Sequence, residues 1–272
     1  MKHSRGHAAS RRNIFGWTRD SYALLSSFVL VILLILYFWR PLAVEYLSYI
    51  DWQGRWWLQL DWLLIGIFLV MTFLIMWGAN LKKDIWIVFV GFVGGLVIES
   101  WGTQTAIWTY YTLERPPLWI IPAWPIASLS IDRLLNLLGR VFPQGTEQRY
   151  KWIYWLVFTA FYGLMLGFVA PTLDKPLTLF SLGLTAFMVL TPTDYRTAVL
   201  TFAAGAGLGY FLERWGTTRQ CWMYYTGETP PFFAVLAHGM AAVAFWRTVD
   251  VLRQLTLRLR LSNQTANPEA GD

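Results

Sequence analysis

Residues 91–117 and 205–231 spell one pattern twice, and this duplication restricts the folds open to the chain more than any other feature. The first stretch reads GFVGGLVIESWGTQTAIWTYYTLERPP and the second GAGLGYFLERWGTTRQCWMYYTGETPP. At a constant offset of 114, without a gap, Gly91 meets Gly205, Gly95 meets Gly209, Glu99 meets Glu213 and Trp101 meets Trp215. Trp108 then meets Trp222, Tyr110 meets Tyr224, Glu114 meets Glu228, and Pro116-Pro117 meet Pro230-Pro231. A repeat of this length implies two equivalent units stacked on one another.

The units are apolar. Of the 272 residues, 56% are hydrophobic and 14% charged, against about 25% charged in ordinary soluble domains. Apolar stretches long enough to cross a bilayer recur along the chain. Eight spans are expected, near residues 22–39, 56–77, 85–107, 116–138, 152–170, 177–190, 198–214 and 230–252. The expected fold is all-α: a polytopic membrane bundle of about eight transmembrane helices, made of two parallel four-helix repeats. Residues 1–19 read as a basic tail, 20–139 as the first repeat, 140–151 as a basic linker, 152–252 as the second repeat and 253–272 as a polar tail.

Eight spans put both termini on one side. If that side is the cytoplasm, sixteen Lys and Arg lie inside and six outside, as the positive-inside rule requires. The expectation is a multi-pass protein of a cell inner or plasma membrane with both termini cytoplasmic and the repeated stretches ending near the outer face. The net charge of +6 is then an orientation signal, and no nucleic-acid partner is expected. One cysteine, Cys221, excludes a disulfide framework or a cysteine zinc site within the chain. With one histidine in a span, His238, no metal site is expected. No nucleotide-binding glycine loop or nucleophile elbow is present.

Gly91, Gly95, Glu99 and Thr103 recur at intervals of four, as do Gly205, Gly209, Glu213 and Thr217. Residues four apart share a helix face, and small residues at this interval let a second helix approach closely in lipid. Each glutamate is therefore expected to point into the bundle. An ionisable group there is costly and marks a functional site by default. Glu99 and Glu213 are the candidate acid and base. Trp101, Trp108, Tyr110, Trp215, Trp222, Tyr224 and His238 are the candidate residues around a substrate, because aromatic faces attract cations. A carboxylic acid among such rings suits protonation of an isoprenoid double bond, followed by hydration or cyclisation. A plainer reading stands beside it: Trp and Tyr gather at membrane interfaces without any chemistry, and the glutamates reach water at helix ends.

The Glu-x-x-Gly pattern, followed by Tyr and then by prolines, resembles the carotenoid hydratase (CruF-like) group of membrane proteins in carotenoid biosynthesis. It is carried by Glu99, Gly102, Tyr110 and Pro116, and by Glu213, Gly216, Tyr224 and Pro230. The resemblance implies an isoprenoid substrate, water addition and no redox cofactor. The interval between glycine and tyrosine is shorter here than in that group. Two other functional classes remain open: a proton- or cation-coupled transporter or lipid-binding protein, and a structural subunit packing through its glycine faces. Bilayer lipid and an isoprenoid or other apolar ligand are the expected partners, and no oligomeric state follows from the sequence.

Overall fold

The computed structural model describes residues 16–142 and 145–266. Most of the predicted basic tail, two linker residues and the last six residues lie outside the described residues. In chain order the elements are α1 Arg19–Phe38, α2 Arg40–Ser48, a 3₁₀ turn Trp56–Leu58, α3 Trp62–Met76, α4 Leu81–Gln104 and β1 Trp108–Tyr110. There follow α5 Ala123–Val141, α6 Glu147–Val169, a 3₁₀ turn Ala170–Thr172, α7 Pro176–Leu190, α8 Tyr195–Thr218, β2 Trp222–Tyr224 and α9 Phe232–Ala266.

The chain is thus all-helical but for two three-residue strands. Helical segments at Arg19–Phe38, Leu81–Gln104, Glu147–Thr172 and Phe232–Leu259 are long and apolar enough to cross a membrane. The shorter α3 and α7 are also apolar. Large apolar side chains stand outward on many helices, among them Leu30, Leu69, Phe89, Leu156, Phe180 and Phe211. In water so much exposed apolar surface is an association liability. In lipid it is the solvated face, and helices meet the other demand of that solvent by satisfying their own backbone groups.

The offset of 114 found in the sequence reappears in the element bounds. It relates α3 to α7, α4 to α8 and β1 to β2 at both ends. The local reasons repeat as well. Asn80 caps α4 by accepting from the Lys83 N–H at 3.2 Å, and Asp194 caps α8 by accepting from Thr197 N–H at 2.9 Å. Such side-chain oxygens satisfy an N–H that the helix leaves unpaired. At the other end, Ala106 and Gln220 both take positive φ, 58° and 55°. The Ile107 N–H then reaches Gly102 O and the Cys221 N–H reaches Gly216 O, each at 2.9 Å. This is the left-handed helix stop that turns the chain back on itself.

Several expected boundaries move, and three of the shifts have a plain local cause. The fourth span was expected to open at Pro116; α5 opens at Ala123 instead. Residues from Pro117 to Ala123 are linked by successive three-residue turns, with Ile120 N–H to Pro117 O and Ala123 N–H to Ile120 O, and a prolyl ring pair begins no helix there. The Arg115–Pro116 and Thr229–Pro230 peptides are both cis. The third span ends at Gln104 rather than Ile107, because of the stop just described. The polar stretch after Leu252 continues α9 to Ala266; residues 253–266 hold no Pro or Gly to end the helix.

Two buried carboxylate clusters

The turn after α4 brings residues 108–110 back along the last turns of that helix. The Trp108 indole lies flat against Gly102, where a Cβ would come within 1.9 Å of the ring. Trp222 lies against Gly216 in the same way, again at 1.9 Å. Only glycine permits this close approach. The consequence is that each indole N–H meets the carboxylate one turn earlier on the helix.

Glu99 is 3% exposed and Glu213 4%. Glu99 accepts from Trp108 Nε1 at 3.1 Å, Tyr110 Oη at 2.9 Å and Trp124 Nε1 at 3.1 Å. Glu213 accepts from Trp222 Nε1 at 2.9 Å and Tyr224 Oη at 2.9 Å, and pairs with His238 Nε2 at 2.9 Å. Trp124 and His238 are themselves 114 apart. The histidine therefore stands in the place of the tryptophan, and the two rings stack at 5.9 Å and 17°. Thr103 and Thr217 return their hydroxyls to the Glu99 and Glu213 carbonyls.

Small residues make the room. Gly95 faces the Trp124 side chain and Gly209 faces His238, so the seam of α4 packs on α5 and that of α8 on α9. Gly91, Gly95, Glu99 and Thr103 are all buried on α4, as are Gly205, Gly209, Glu213 and Thr217 on α8. The inward orientation expected from the interval of four is what the structure has.

The clusters meet through β1 and β2. These strands pair antiparallel, with Trp108 opposite Tyr224, Thr109 opposite Met223 and Tyr110 opposite Trp222. The register is symmetric about its middle pair. Two flanking bonds extend it: Tyr111 N–H to Cys221 O at 3.2 Å and Tyr225 N–H to Ile107 O at 3.0 Å. Burial in this joint pushes the Cys221 thiol up to about 12.

Trp108, Tyr110, Trp222, Tyr224 and His238 are thus gathered on the glutamates. Trp101 and Trp215 are not. Trp101 donates to Thr178 Oγ1 at 3.2 Å, near the start of α7, and Trp215 to Asp61 Oδ2 at 2.8 Å, the residue that caps α3. Each reaches the helix that precedes the other copy, so these two residues tie the copies together, and each touches its glutamate's cluster only through the edge of Trp108 or Trp222. Asp61 also pairs with Arg219 at 3.0 Å. Glu114 accepts from Trp119 Nε1, and Glu228 is exposed.

Sequence reasoning left out Trp124, whose place opposite His238 in the alignment was the available signal. It also left out a groove between α5 and α9. This groove, of about 60 Å³, is lined by Trp124, Ala127, Thr201, His238, Ala241 and Phe245 among others. Each cluster gives one ring to this groove, Trp124 from the first and the His238 imidazole from the second. Its Nδ1 makes no hydrogen bond among the described residues, while Nε2 is held by Glu213.

Chemically the clusters differ. A carboxyl ringed by two indole N–H groups and a phenol, as at Glu99, accepts from three donors, of which only the phenol can also accept. A carboxylate holding an imidazole orients it and fixes which nitrogen bears hydrogen, the arrangement that general acid–base sites use. Comparison of the chain with protein families, with curated proteins and with solved structures finds no match.

Proposed function

We propose that the chain is an eight-span membrane protein of two parallel four-helix repeats, and that it carries out acid–base chemistry on an apolar prenyl or polyene lipid at His238–Glu213. The spans are α1, α3 to α9, with α2 a short helix between the first two. An even number of spans per repeat relates the copies by an axis along the membrane normal. The single observation that carries the chemical reading is the 2.9 Å contact between His238 Nε2 and Glu213 Oε1 beside the α5–α9 groove. It is supported by the tryptophan that stands in the same place in the other copy.

In this reading the Nε2–H donates to Glu213, and the ring in its imidazolium form delivers its Nδ1 proton to an alkene carbon of the ligand. Protonation of an alkene carbon leaves a carbocation. Water then bonds to that cation and returns a proton to the imidazole, so the sum is hydration; capture by a second alkene of the same chain moves the cation into the new ring, and loss of a C–H proton to the imidazole completes a cyclisation. The faces of Trp124 and Trp246, which also line the groove, favour the cationic stage. Glu99 has a positioning role, holding Trp124 against His238.

A carrier that rocks one repeat against the other has less support, because Trp101, Trp215 and the strand pair bind the two together. The test is mass spectrometry of lipid extracts from cells making the full chain. A prenyl or polyene product is expected with the wild type and lost with His238→Trp and Glu213→Gln. Equal product from these variants, or no such lipid bound to the purified wild type, ends the reading.

A further inference from the structure

At the far end of the α5–α9 groove lies a pocket of about 340 Å³ where the start of α4, the end of α5 and α9 converge. It is lined by Lys83, Asp84, Asp132, Arg133, Arg140 and Arg253 among others, four cations against two carboxylates. Arg133 takes up both carboxylates, reaching Asp84 at 2.7 Å and also Asp132. Arg253 gives one N–H to Lys83 O at 2.9 Å, and Arg140 lies over the Trp77 ring at 5.7 Å. Neither these two nor Lys83 has a carboxylate partner among the described residues. The uncompensated charge of the pocket is therefore positive.

The duplication did not supply this pocket. At the offset of 114, Lys83, Asp84, Asp132 and Arg140 correspond to Thr197, Ala198, Trp246 and Gln254, and only Arg133 keeps its type, as Arg247. Arg247 donates to Met188 O and Thr191 Oγ1 at the end of α7, and Arg133 donates to Trp77 O just past the end of α3. The shared arginine is thus a helix-end contact, and the charges around Arg133 are particular to one copy.

Pocket and groove are continuous: Ile87, Asp132 and Arg253 line both. The groove is narrow and apolar, and runs to the stacked Trp124 and His238. Thr201, 1% exposed, lines it, and its Oγ1 has no hydrogen-bond partner among the described residues.

We propose that pocket and groove together bind a single-chain lipid phosphate, its anionic head among Lys83, Arg140 and Arg253 and its tail along α5 and α9 toward His238. The tail placement rests on the reading of His238–Glu213 as the reactive pair; the head placement does not. Guanidinium and ammonium groups suit phosphate oxygens, and a groove of only about 60 Å³ favours a ligand with a single chain. The positive-inside expectation sets this mouth at the cytoplasmic face, where a charged head stays hydrated while its tail enters the bundle.

Binding to the full chain in detergent tests this, with farnesyl phosphate as the probe and farnesol, inorganic phosphate and dioleoyl phosphatidic acid as comparisons. Farnesyl phosphate is expected to bind at least tenfold more tightly than each comparison. Arg140→Gln and Arg253→Gln should each weaken it about tenfold, the usual weight of one charge-assisted contact, and leave farnesol unaffected. Ala241→Phe should weaken farnesyl phosphate by filling the groove. Arg140 is exposed at the rim, so its variant remains informative if Ala241→Phe does not fold. Inorganic phosphate binding as tightly as farnesyl phosphate, farnesol binding as tightly, or phosphatidic acid binding as tightly would each overturn the proposal. Binding that needs the arginines while Glu213→Gln leaves product formation intact retains the head site and removes the acid–base reading. Product that depends on Glu213 without farnesyl phosphate binding does the reverse.

Discussion

The Glu99 and Glu213 clusters share a backbone, a helix stop, a glycine, an indole and a phenol, and differ in one ring. At Glu99 the third partner is Trp124; at Glu213 it is His238. An indole N–H donates and nothing more. An imidazole donates or accepts and changes charge near neutral pH. The difference teaches that the aromatic cage and the third ring are separable: the cage solves the burial of a carboxylate in both copies, and a single exchange inside it supplies, in one copy, a ring able both to donate and to accept.

The most damaging way to probe that contrast removes the carboxylates. Glu99→Leu leaves three buried donors unpaired, and about 1–3 kcal/mol for each gives a loss of about 3 kcal/mol or more. Glu213→Leu should cost less, since the His238 nitrogen that faced the carboxylate can shed its hydrogen and need no acceptor. Unfolding in detergent, followed side by side for the two variants, measures the order. An equal loss would mean that His238 behaves as a fixed donor like Trp124.

His238→Trp converts the second cluster into a copy of the first. A loss within about 1.5 kcal/mol is expected, as for a shape change where a template for the new ring exists, together with loss of lipid product. Trp124→His is the reciprocal change and should bring a second imidazole–carboxylate pair, visible as an added histidine resonance that Glu99→Gln displaces. A smaller effect is expected from Asp61→Asn, about 1 kcal/mol or less. It gives up the ion pair with the half-exposed Arg219 but keeps an acceptor for Trp215. The smallest concerns the turn after each strand. Leu113 holds φ at 61° where its counterpart Gly227 holds 71°. Leu113→Gly should therefore leave stability unchanged or raise it by up to about 1 kcal/mol, read as a small upward shift of the melting temperature.

Much of this was legible in the chain. The interval of four placed Gly95, Glu99 and Thr103 on one buried face, but the spans read at 85–107 and 198–214 did not carry the constant offset through to the bounds, which match in α4 and α8. The strand pair was not legible. Three residues give no periodicity, and their partners lie in the other copy, so neither stretch signals the pairing alone. The true start of α5 was hidden for a related reason: Pro116-Pro117 carries a helix-start signal, but the turns that follow outlast it. Trp101 and Trp215 read as lining residues because they adjoin the glycine of the motif. Their actual partners, Thr178 and Asp61, lie 77 and 154 positions away, and such a distance leaves no mark in local spacing. The pocket around Arg133 was not legible either, because its cations come from α4, α5 and α9 and share no interval along the chain.

Each carboxylate draws all of its side-chain partners from within 25 positions downstream. The ladder between β1 and β2, by contrast, joins residues on opposite sides of the chain's midpoint. Synthesis therefore need not wait for the closing ladder before hiding a charged group in lipid. The first glutamate is fully partnered as soon as α5 has left the ribosome, and the second after α9. Membrane insertion can then proceed in two self-sufficient stages, and the late ladder joins parts that are already electrostatically settled.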